Sequence, residues 1–280
     1  MYFIFANPQK PDTITVARHL AEWLIEQGER VMLDAWLHKL IYLGQSGDLS
    51  LLTHDTKAII SLGGDGTLLR ALPTAALHQI PVLGVNMGRV GFLLETDRAG
   101  LQNALELIQA HDYTLEERMM LRCQVNGGAS QLFMNDVVLC RGDSPSSIVV
   151  DAYANEELVY ATHGDGMIVS TATGSTGYCL SAGGPILHPS LHCMVLLPIC
   201  THKAQQLPIV LQDDVRIRLK TDAVPGRTYQ VVLDGQNTFN IHGAAEVTIE
   251  KATERAHFIR FGSQQFFTRL RQKQAEWSVI

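Results

Sequence analysis

The chain has 280 residues, of which 46% are hydrophobic and 18% charged, with a net charge of −6 at pH 7 and a pI near 6.0. This composition is typical of a globular protein with enough residues for two domains, and its acidic balance argues against nucleic acid or an anionic membrane as the main partner. No apolar run approaches the ~18–20 residues that span a bilayer, and the first residues lack the charged start of a secretory signal. The cysteines, five in number and without a Cys-x-x-Cys pair, indicate reduced thiols and a cytoplasmic location.

Strand-like and helix-like stretches alternate from residue 1 to about residue 115. The predicted strands cover 1–6, 30–33, 57–62 and 81–85. The predicted helices cover 12–27, 67–78 and 101–110, whereas 39–54 has no clear pattern. This alternation predicts a Rossmann-like α/β domain, with a parallel sheet covered on both faces and ligands at the carboxyl ends of its strands.

From about residue 120 the pattern changes to short strands separated by turns, which predicts an all-β domain. The strand-like stretches are 121–125, 131–140, 147–154, 157–162, 167–170, 194–199, 208–220, 229–233, 246–250 and 257–261. A short helix fits after Ser175, and the tail 264–277 returns to a helical pattern that we expect to pack back on the first domain. The predicted domains are therefore 1–120 together with 263–280, and a β-rich domain over 121–262.

The sequence Gly63-Gly64-Asp65-Gly66-Thr67 joins a predicted buried strand to a helix for which Thr67 is the expected N-cap. Glycines before a helix N-terminus expose backbone N–H groups that bind phosphate, so Gly63, Gly64, Gly66 and Thr67 form a candidate phosphate-donor loop. A carboxylate in such a loop either helps to hold a metal ion or takes a proton from an attacking hydroxyl. Taken alone, the motif fits an ordinary strand-to-helix turn equally well.

Four further stretches carry polar or glycine residues where a core would be apolar. Asn86–Leu93 follows a strand, and its glycines should lie at the same sheet edge as Asp65. Asn135-Asp136 interrupts an apolar run, which is unfavourable unless both side chains are bonded to a ligand or to a backbone turn. His163–Gly166 fits a hairpin or a binding turn. Thr171–Tyr178 consists almost entirely of hydroxyl and glycine residues, which favours a polar surface for sugar and phosphate.

Together, and in this order, these motifs resemble the NAD kinase family over nearly the whole chain. The matching motifs are Gly-Gly-Asp-Gly-Thr at 63–67, Asn-x-Gly-x-x-Gly-Phe-Leu at 86–93, 117–121, Asn135-Asp136, Gly-Asp-Gly at 164–166, Thr-Gly-Ser-Thr-x-Tyr at 173–178, Ser-Ala-Gly-Gly-Pro at 181–185 and Asp-Gly-Gln at 234–236. Diacylglycerol, sphingosine and 6-phosphofructokinase-type kinases share the first motif alone.

The resemblance implies an enzyme that phosphorylates the 2′-hydroxyl of the adenosine ribose of NAD, using ATP or polyphosphate and a divalent cation such as Mg²⁺. It implies that Asp65 is the catalytic proton acceptor and that the protein is a homo-oligomer, a dimer or a tetramer. The residues that it assigns to NAD binding are Asp65, Gly66, Asn135, Asp136, His163, Asp165, Thr176, Gly177, Tyr178, Cys179, Leu180, Ser181, Cys200 and Gln236. No residue is assigned to a metal.

The stretch from Pro198 to Pro208 departs from the family pattern, which has a second proline and an arginine where this chain has Thr201 and Leu207. The departure leaves a phosphate or interface contact at position 207 in doubt. Two other functions stay open: a lipid or sugar kinase that shares the glycine-Asp turn, and a dinucleotide-binding protein without activity.

Overall fold

The computed structural model describes residues 1–10, 12–202, 206–262 and 266–277. It divides into two compact units, the first formed by residues 1–117 with 255–280 and the second by residues 118–254. The chain passes between the units within two long strands, Thr114–Val125 and Glu246–Arg260.

The first hundred or so residues alternate strands and helices, and the rest is mainly strands. In chain order the elements are β1 (Tyr2–Ala6), α1 (Asp12–Glu26), β2 (Val31–Asp34), α2 (Ala35–Ile41), β3 (Gln45–Gly47), β4 (Ala58–Gly63), α3 (Asp65–Leu77), β5 (Val82–Asn86), β6 (Thr96–Asp97), α4 (Leu101–Gln109), β7 (Thr114–Val125), β8 (Gln131–Phe133), β9 (Asp136–Arg141), β10 (Ile148–Ala154), β11 (Glu157–Gly164), β12 (Gly166–Thr171), α5 (Tyr178–Ser181), β13 (Cys193–Ile199), β14 (Ile209–Gln212), β15 (Ile217–Thr221), β16 (Thr228–Leu233), β17 (Asn237–His242), β18 (Glu246–Arg260) and α6 (Phe266–Trp277).

The first unit is built on a parallel sheet in the order β5-β4-β1-β2-β3. The end of β18 joins this sheet beside β5, with Phe258 opposite Val82. Strands β1 and β4 are buried along their whole length, as expected for central strands with helices on both faces. Helix α1 covers the sheet with an apolar stripe that includes Leu20 and Leu24. The predicted parallel α/β fold is therefore confirmed.

Helix α6 packs on the first unit, as the sequence pattern predicts. The rings of Phe266 and Phe92 lie 6.3 Å apart between centroids, and Arg269 donates to the Phe92 carbonyl. The predicted start of this helix, at residues 264 and 265, lies outside the described residues. Among the residues with described structure, no helix has the length and apolar character needed to cross a bilayer.

The second unit is β-rich, again as predicted. One antiparallel sheet has the order β14-β13-β12-β9-β16-β17, and a second set of strands runs β11-β10-β15-β18, with the β7–β8 hairpin beside it. Large side chains from both sets, among them Phe133, Leu219 and Tyr229, share one buried core. The sheet edges bring several of the predicted site residues to the surface of this unit, as described below.

Several predicted element boundaries are wrong. No element is predicted for residues 39–54, and the structure has the end of α2, β3 and a short 3₁₀ turn there. The predicted strand 208–220 divides into β14 and β15 around the Asp213-Asp214 turn, whereas 246–250 and 257–261 belong to one continuous strand, β18. Strand β17 is polar and partly exposed, so its sequence lacks the apolar alternation that identifies a strand.

Candidate active site

Asp65 lies where β4 ends and α3 begins, at the carboxyl edge of the parallel sheet. Its carboxylate accepts two backbone hydrogen bonds, one from the N–H of Phe92 at 2.8 Å and one from the N–H of Leu93 at 3.1 Å. The expectation that the Asn86–Leu93 segment meets Asp65 at one sheet edge is therefore confirmed. These contacts fix the direction in which the carboxylate points.

Gly91 makes this approach possible. A Cβ atom at position 91 would lie 2.3 Å from Oδ1 of Asp65 and 2.9 Å from its Cγ, which is closer than real Cβ contacts allow. The segment is itself held at its start, since Asn86 Oδ1 accepts the N–H of Gly88 at 2.9 Å. The glycine in this position is thus a condition for the position of the acid.

The glycines of the 63–67 turn differ in their surroundings. A Cβ at Gly63 would lie 2.3 Å from Oγ1 of Thr67, whereas a Cβ at Gly64 or Gly66 would meet no atom of the described residues within 4 Å apart from its chain neighbours and the backbone of α3. The prediction that Thr67 caps the helix is wrong, because α3 begins at Asp65 with Gly64 as its N-cap. Thr67 is instead buried in the first turn, where its N–H donates to the Gly64 carbonyl at 3.0 Å.

Two opposing effects act on the Asp65 carboxyl. Burial raises its pKa, whereas the hydrogen bonds from Phe92 and Leu93 and the positive charges of Lys273 and Arg269 lower it; the net direction is upward from the ordinary value. A carboxylate of raised pKa is a stronger base than a solvated one. The arrangement is chemically suited to accepting a proton.

Behind Asp65 lies a group of buried ion pairs that the sequence analysis does not include. Arg260 contacts Glu95 at 2.9 Å and Arg269 contacts the same carboxylate at 3.2 Å. The two arginines also donate to backbone carbonyls, Arg269 to that of Phe92 at 3.0 Å and Arg260 to that of Leu93 at 3.1 Å. The Phe92–Leu93 peptide, whose N–H donates to Asp65, is therefore held on its carbonyl side by Arg269, and Arg260 holds the next carbonyl along the chain.

In the second unit, Asn135, Asp136 and Tyr178 line a cavity of about 420 Å³. Its remaining lining residues are Val138, Cys140, Val232, Asp234 and Gly235. Apolar walls with a few directed polar groups are typical of small-molecule sites. This cavity brings together three of the residues predicted to bind NAD.

Asp234 holds the backbone bend at Met134 and Asn135. Its carboxylate accepts the N–H groups of Met134, Asn135 and Asp136 at 2.9, 2.7 and 3.2 Å. These bonds break the ladder at this point, so the predicted strand 131–140 is two strands, β8 and β9. Asp234 itself adopts the left-handed backbone conformation, with φ of 51°.

The two carboxyl groups of this cavity influence each other. Burial raises the pKa of Asp136 to about 7, and the negative charge of Asp234 adds to the rise. Burial also raises the pKa of Asp234, although its three backbone hydrogen bonds oppose the change. Asp136 therefore changes its charge close to neutral pH.

The hydroxyl-rich stretch 171–178 is largely bonded within the protein. Thr171 donates to the Met134 carbonyl at 2.7 Å, and Ser175 donates to the Ala172 carbonyl at 2.7 Å and accepts the N–H of Leu187 at 3.0 Å. Beyond it, Cys179 is fully buried, whereas Tyr178 is 48% exposed. The stretch serves mainly to place the residues from 176 onward, which include the predicted site residues Thr176, Gly177, Leu180 and Ser181.

A second group of predicted residues lies where β11 and β13 end and β12 begins. Asp165 pairs with Arg141 at 3.0 Å, and the rings of His163 and His202 lie 4.5 Å apart between centroids. Cys200 is exposed next to them, with φ of 46°. Burial raises the pKa of the Tyr178 hydroxyl. The charges of Asp165, in this group, and of Asp136, in the cavity, both add to the rise.

Gln236, the last predicted site residue, lies in the turn between β16 and β17, beside the cavity residue Gly235, and its N–H donates to the Leu233 carbonyl. In the unusual stretch 198–208, Tyr160 donates to the carbonyl of Leu207, whose side chain is 71% exposed. Residues 203–205 of that stretch lie outside the described residues.

Each of the two units contains a region that matches a known protein family. Residues 3–113 match the ATP-NAD kinase N-terminal domain, and residues 134–261 match the ATP-NAD kinase C-terminal domain. The chain belongs to the NAD kinase family. Similar proteins include the NAD kinases of Heliobacterium modesticaldum, 39% identical over 96% of both chains, and of Geotalea daltonii, 34% identical over 96% of both. The NAD kinase of Methanothermobacter thermautotrophicus is 32% identical over 99% of this chain and 96% of its own.

Two solved structures share the fold of this chain. An NAD kinase from Archaeoglobus fulgidus in complex with ATP has a TM-score of 0.77 at 26% identity, covering 97% of this chain and 99% of that one. Yeast NADH kinase complexed with NADH has a TM-score of 0.88 at 22% identity, covering 96% of this chain and 85% of that one. The second likeness concerns the fold alone.

Proposed function

We propose that the protein transfers the γ-phosphoryl group of ATP to the 2′-hydroxyl of the adenosine ribose of NAD, which yields NADP. The observation that carries the proposal is the position of Asp65 in a member of the NAD kinase family. The carboxylate lies at the start of α3 beside glycines 64 and 66, and two backbone N–H groups hold it in one orientation.

Asp65 acts as the general base in this reaction. The ribose oxygen attacks the γ-phosphorus, the bond from that phosphorus to the bridging oxygen breaks, and the hydroxyl proton passes to the carboxylate. The net upward direction of its pKa supports this role, because it strengthens the carboxylate as a base. Most of the acceleration comes from positioning and charge neutralisation, and the base adds about 10²–10⁴-fold.

Gly64 and Gly66 receive the phosphates of the donor. On the side where a Cβ would stand there is space at both positions, since among the described residues no atom other than those of the chain neighbours and the α3 backbone lies within 4 Å of it. The first turn of α3 directs backbone N–H groups and the positive end of the helix dipole toward an anion. The proposal therefore keeps Gly64 and Gly66 of the sequence-based loop, whereas Gly63 is buried and the N–H of Thr67 already donates to the Gly64 carbonyl.

A divalent cation, most simply Mg²⁺, accompanies ATP. Mg²⁺ binds triphosphate oxygens and retains several water ligands, so it needs few protein donors. Within the described residues there is no group of three His, Cys, Asp or Glu side chains arranged to hold a metal. When bound, the ion would neutralise charge that develops on the transferred phosphoryl group.

The cavity of the second unit binds the adenosine part of NAD. Tyr178 offers a half-exposed ring, Asn135 an amide with donors and acceptors, and Asp136 a carboxyl that accepts hydrogen bonds when charged and donates when neutral. Asp165 is assigned to the nicotinamide side, and His163 is assigned to NAD binding without a particular part of the molecule. This division follows the family resemblance.

The proposed activity has a direct test. Incubation with NAD, ATP and Mg²⁺, followed by detection with an NADP-specific dehydrogenase, should show product. Repetition with polyphosphate identifies the donor, and repetition with NADH the preferred acceptor. Phosphorylation of diacylglycerol but not NAD would favour a lipid kinase, and tight NAD binding without product would favour a binding protein.

We further propose a cytoplasmic location and a homo-oligomeric state. All five cysteines are unpaired, which is typical of reducing compartments. The oligomeric state follows from the family resemblance, and light scattering coupled to gel filtration measures it.

A further inference from the structure

One peptide unit connects helix α6 to Asp65. The carbonyl of Phe92 accepts a hydrogen bond from Nη1 of Arg269 at 3.0 Å, and the N–H of the same peptide, which belongs to Leu93, donates to Oδ1 of Asp65 at 3.1 Å. Hydrogen bonds in series through one amide polarise each other, so a positive charge on the carbonyl side makes the N–H a better donor.

We propose that Arg269 is a positioning residue for Asp65: its guanidinium holds and polarises the Phe92–Leu93 peptide, which in turn orients the carboxylate. The inference rests on the proposed function, in which Asp65 is the base. Arg269 contacts Asp65 through the peptide rather than directly, so it takes no part in proton transfer.

The guanidinium is itself firmly placed. Its Nη2 atom contacts Oε2 of Glu95 at 3.2 Å, and the side chain is 17% exposed. Glu95 is fixed in turn by Arg260 at 2.9 Å and by the N–H of Phe261 at 2.9 Å. An arginine with two directed N–H groups suits this double contact, whereas a lysine can reproduce only part of it.

Other charges near Asp65 are also defined. Lys273, one turn along α6, lowers the pKa of Asp65 together with Arg269. The Lys273 ammonium pairs with Glu276 at 3.2 Å, and the guanidinium of Arg260 in β18 pairs with Glu95 at 2.9 Å. Loss of Arg269 therefore removes a positive charge that acts on the carboxyl, and it also removes the donor to the Phe92 carbonyl.

The test compares Arg269→Gln and Arg269→Lys with a control on the same helix, Arg271→Gln, whose side chain is exposed. For each protein, kcat and the KM for NAD are measured with ATP and Mg²⁺ from about pH 5 to about pH 9. We expect Arg269→Gln to lower kcat between about tenfold and hundredfold with little change in KM, since a small displacement of the base affects chemistry more than binding. The acidic limb of its kcat profile should move to higher pH, because Asp65 loses a positive neighbour. The kcat and the acidic limb of Arg269→Lys should lie between those of Arg269→Gln and those of the unmodified protein. Arg271→Gln should match the unmodified protein in both.

A second readout does not depend on activity. The ¹³C signal of the Asp65 carboxyl, identified by its loss in Asp65→Asn, is titrated in each variant and should shift to a higher midpoint in Arg269→Gln. If the acidic limb and the midpoint stay in place while kcat falls, Arg269 has only a structural role and the inference is wrong. If Arg269→Gln does not fold, an unmoved midpoint in Arg269→Lys leads to the same conclusion. Absence of NADP formation by the unmodified protein would instead contradict the proposed function, and the titration would still decide the inference.

Discussion

Asp65 and Phe92, which are 27 residues apart in the chain, are joined by a 2.8 Å hydrogen bond from the backbone N–H to the carboxylate. The bond links the N-terminus of α3 to the segment that follows β5, and so it brings two sequence motifs into one site. A carboxylate held in this way has lost much of its rotational freedom before substrate arrives, which favours its use as a base.

Asp65→Asn should keep the fold and NAD affinity within a few-fold but reduce turnover by about 10²–10⁴-fold, because the amide accepts no proton at neutral pH. Steady-state NADP formation and calorimetric NAD binding measure the two effects. Asp48→Asn is the matched control, since Asp48 is exposed and its carboxylate caps a short 3₁₀ turn by accepting from Ser50. Unchanged NADP formation by Asp65→Asn would remove the base from the mechanism.

Gly91→Ala should impair catalysis without changing any polar group. The added Cβ would lie 2.3 Å from Oδ1 of Asp65, so either the carboxylate or the segment must move. We expect kcat to fall by about tenfold or more, since a displacement of about 1 Å at a reacting group can reduce the rate about 10²-fold. Circular dichroism and a thermal melt distinguish this from unfolding. Full activity in a folded variant would show that the position of Asp65 tolerates displacement.

The general architecture was accessible from the sequence because it depends on local patterns. Strands β1 and β4 are continuous apolar runs, and the glycine turn after β4 identifies a helix start. The exact start of α3 could not be predicted from the sequence, because Thr67 is a good N-cap residue by type but its side chain is buried against Gly63. Here a packing contact decided between two plausible caps.

The residues that sequence reasoning missed act across long separations. Asp234 bends the 131–140 stretch through an N–H that is 99 residues away, and Arg269 reaches a carbonyl that is 177 residues away. No periodicity or spacing encodes such pairs. The Asp-Gly-Gln motif at 234–236 was a usable signal for Asp234, whereas Arg269 stands among other polar residues of α6 and has no distinguishing neighbour.

Gly66→Ala separates folding from donor binding. Beyond its chain neighbours and the α3 backbone, the new Cβ would meet no atom of the described part of the chain within 4 Å. Alanine is favoured over glycine inside a helix by up to about 1 kcal/mol. The midpoint of urea unfolding should therefore stay the same or rise. If ATP phosphates approach the backbone here, the KM for ATP should increase several-fold and by more than the KM for NAD, which the predicted NAD contact of Gly66 also raises. An unchanged KM for ATP would mean that the donor does not come close to position 66.

The buried carboxyl of Asp136 makes the stability of the protein depend on pH. Its pKa is raised from 3.8 to about 7 in the folded state, so between these values the folded protein binds more protons than the unfolded chain. The free energy of unfolding should therefore decrease as the pH rises from about 4 to about 7, and this contribution should level off above that. Asp136→Asn removes the titrating carboxyl. The free energy of unfolding of this variant should therefore increase relative to that of the unmodified protein, by an amount on the order of a few kcal/mol over this interval. Urea unfolding at several pH values measures the difference, and a difference independent of pH would show that Asp136 stays charged in the folded protein.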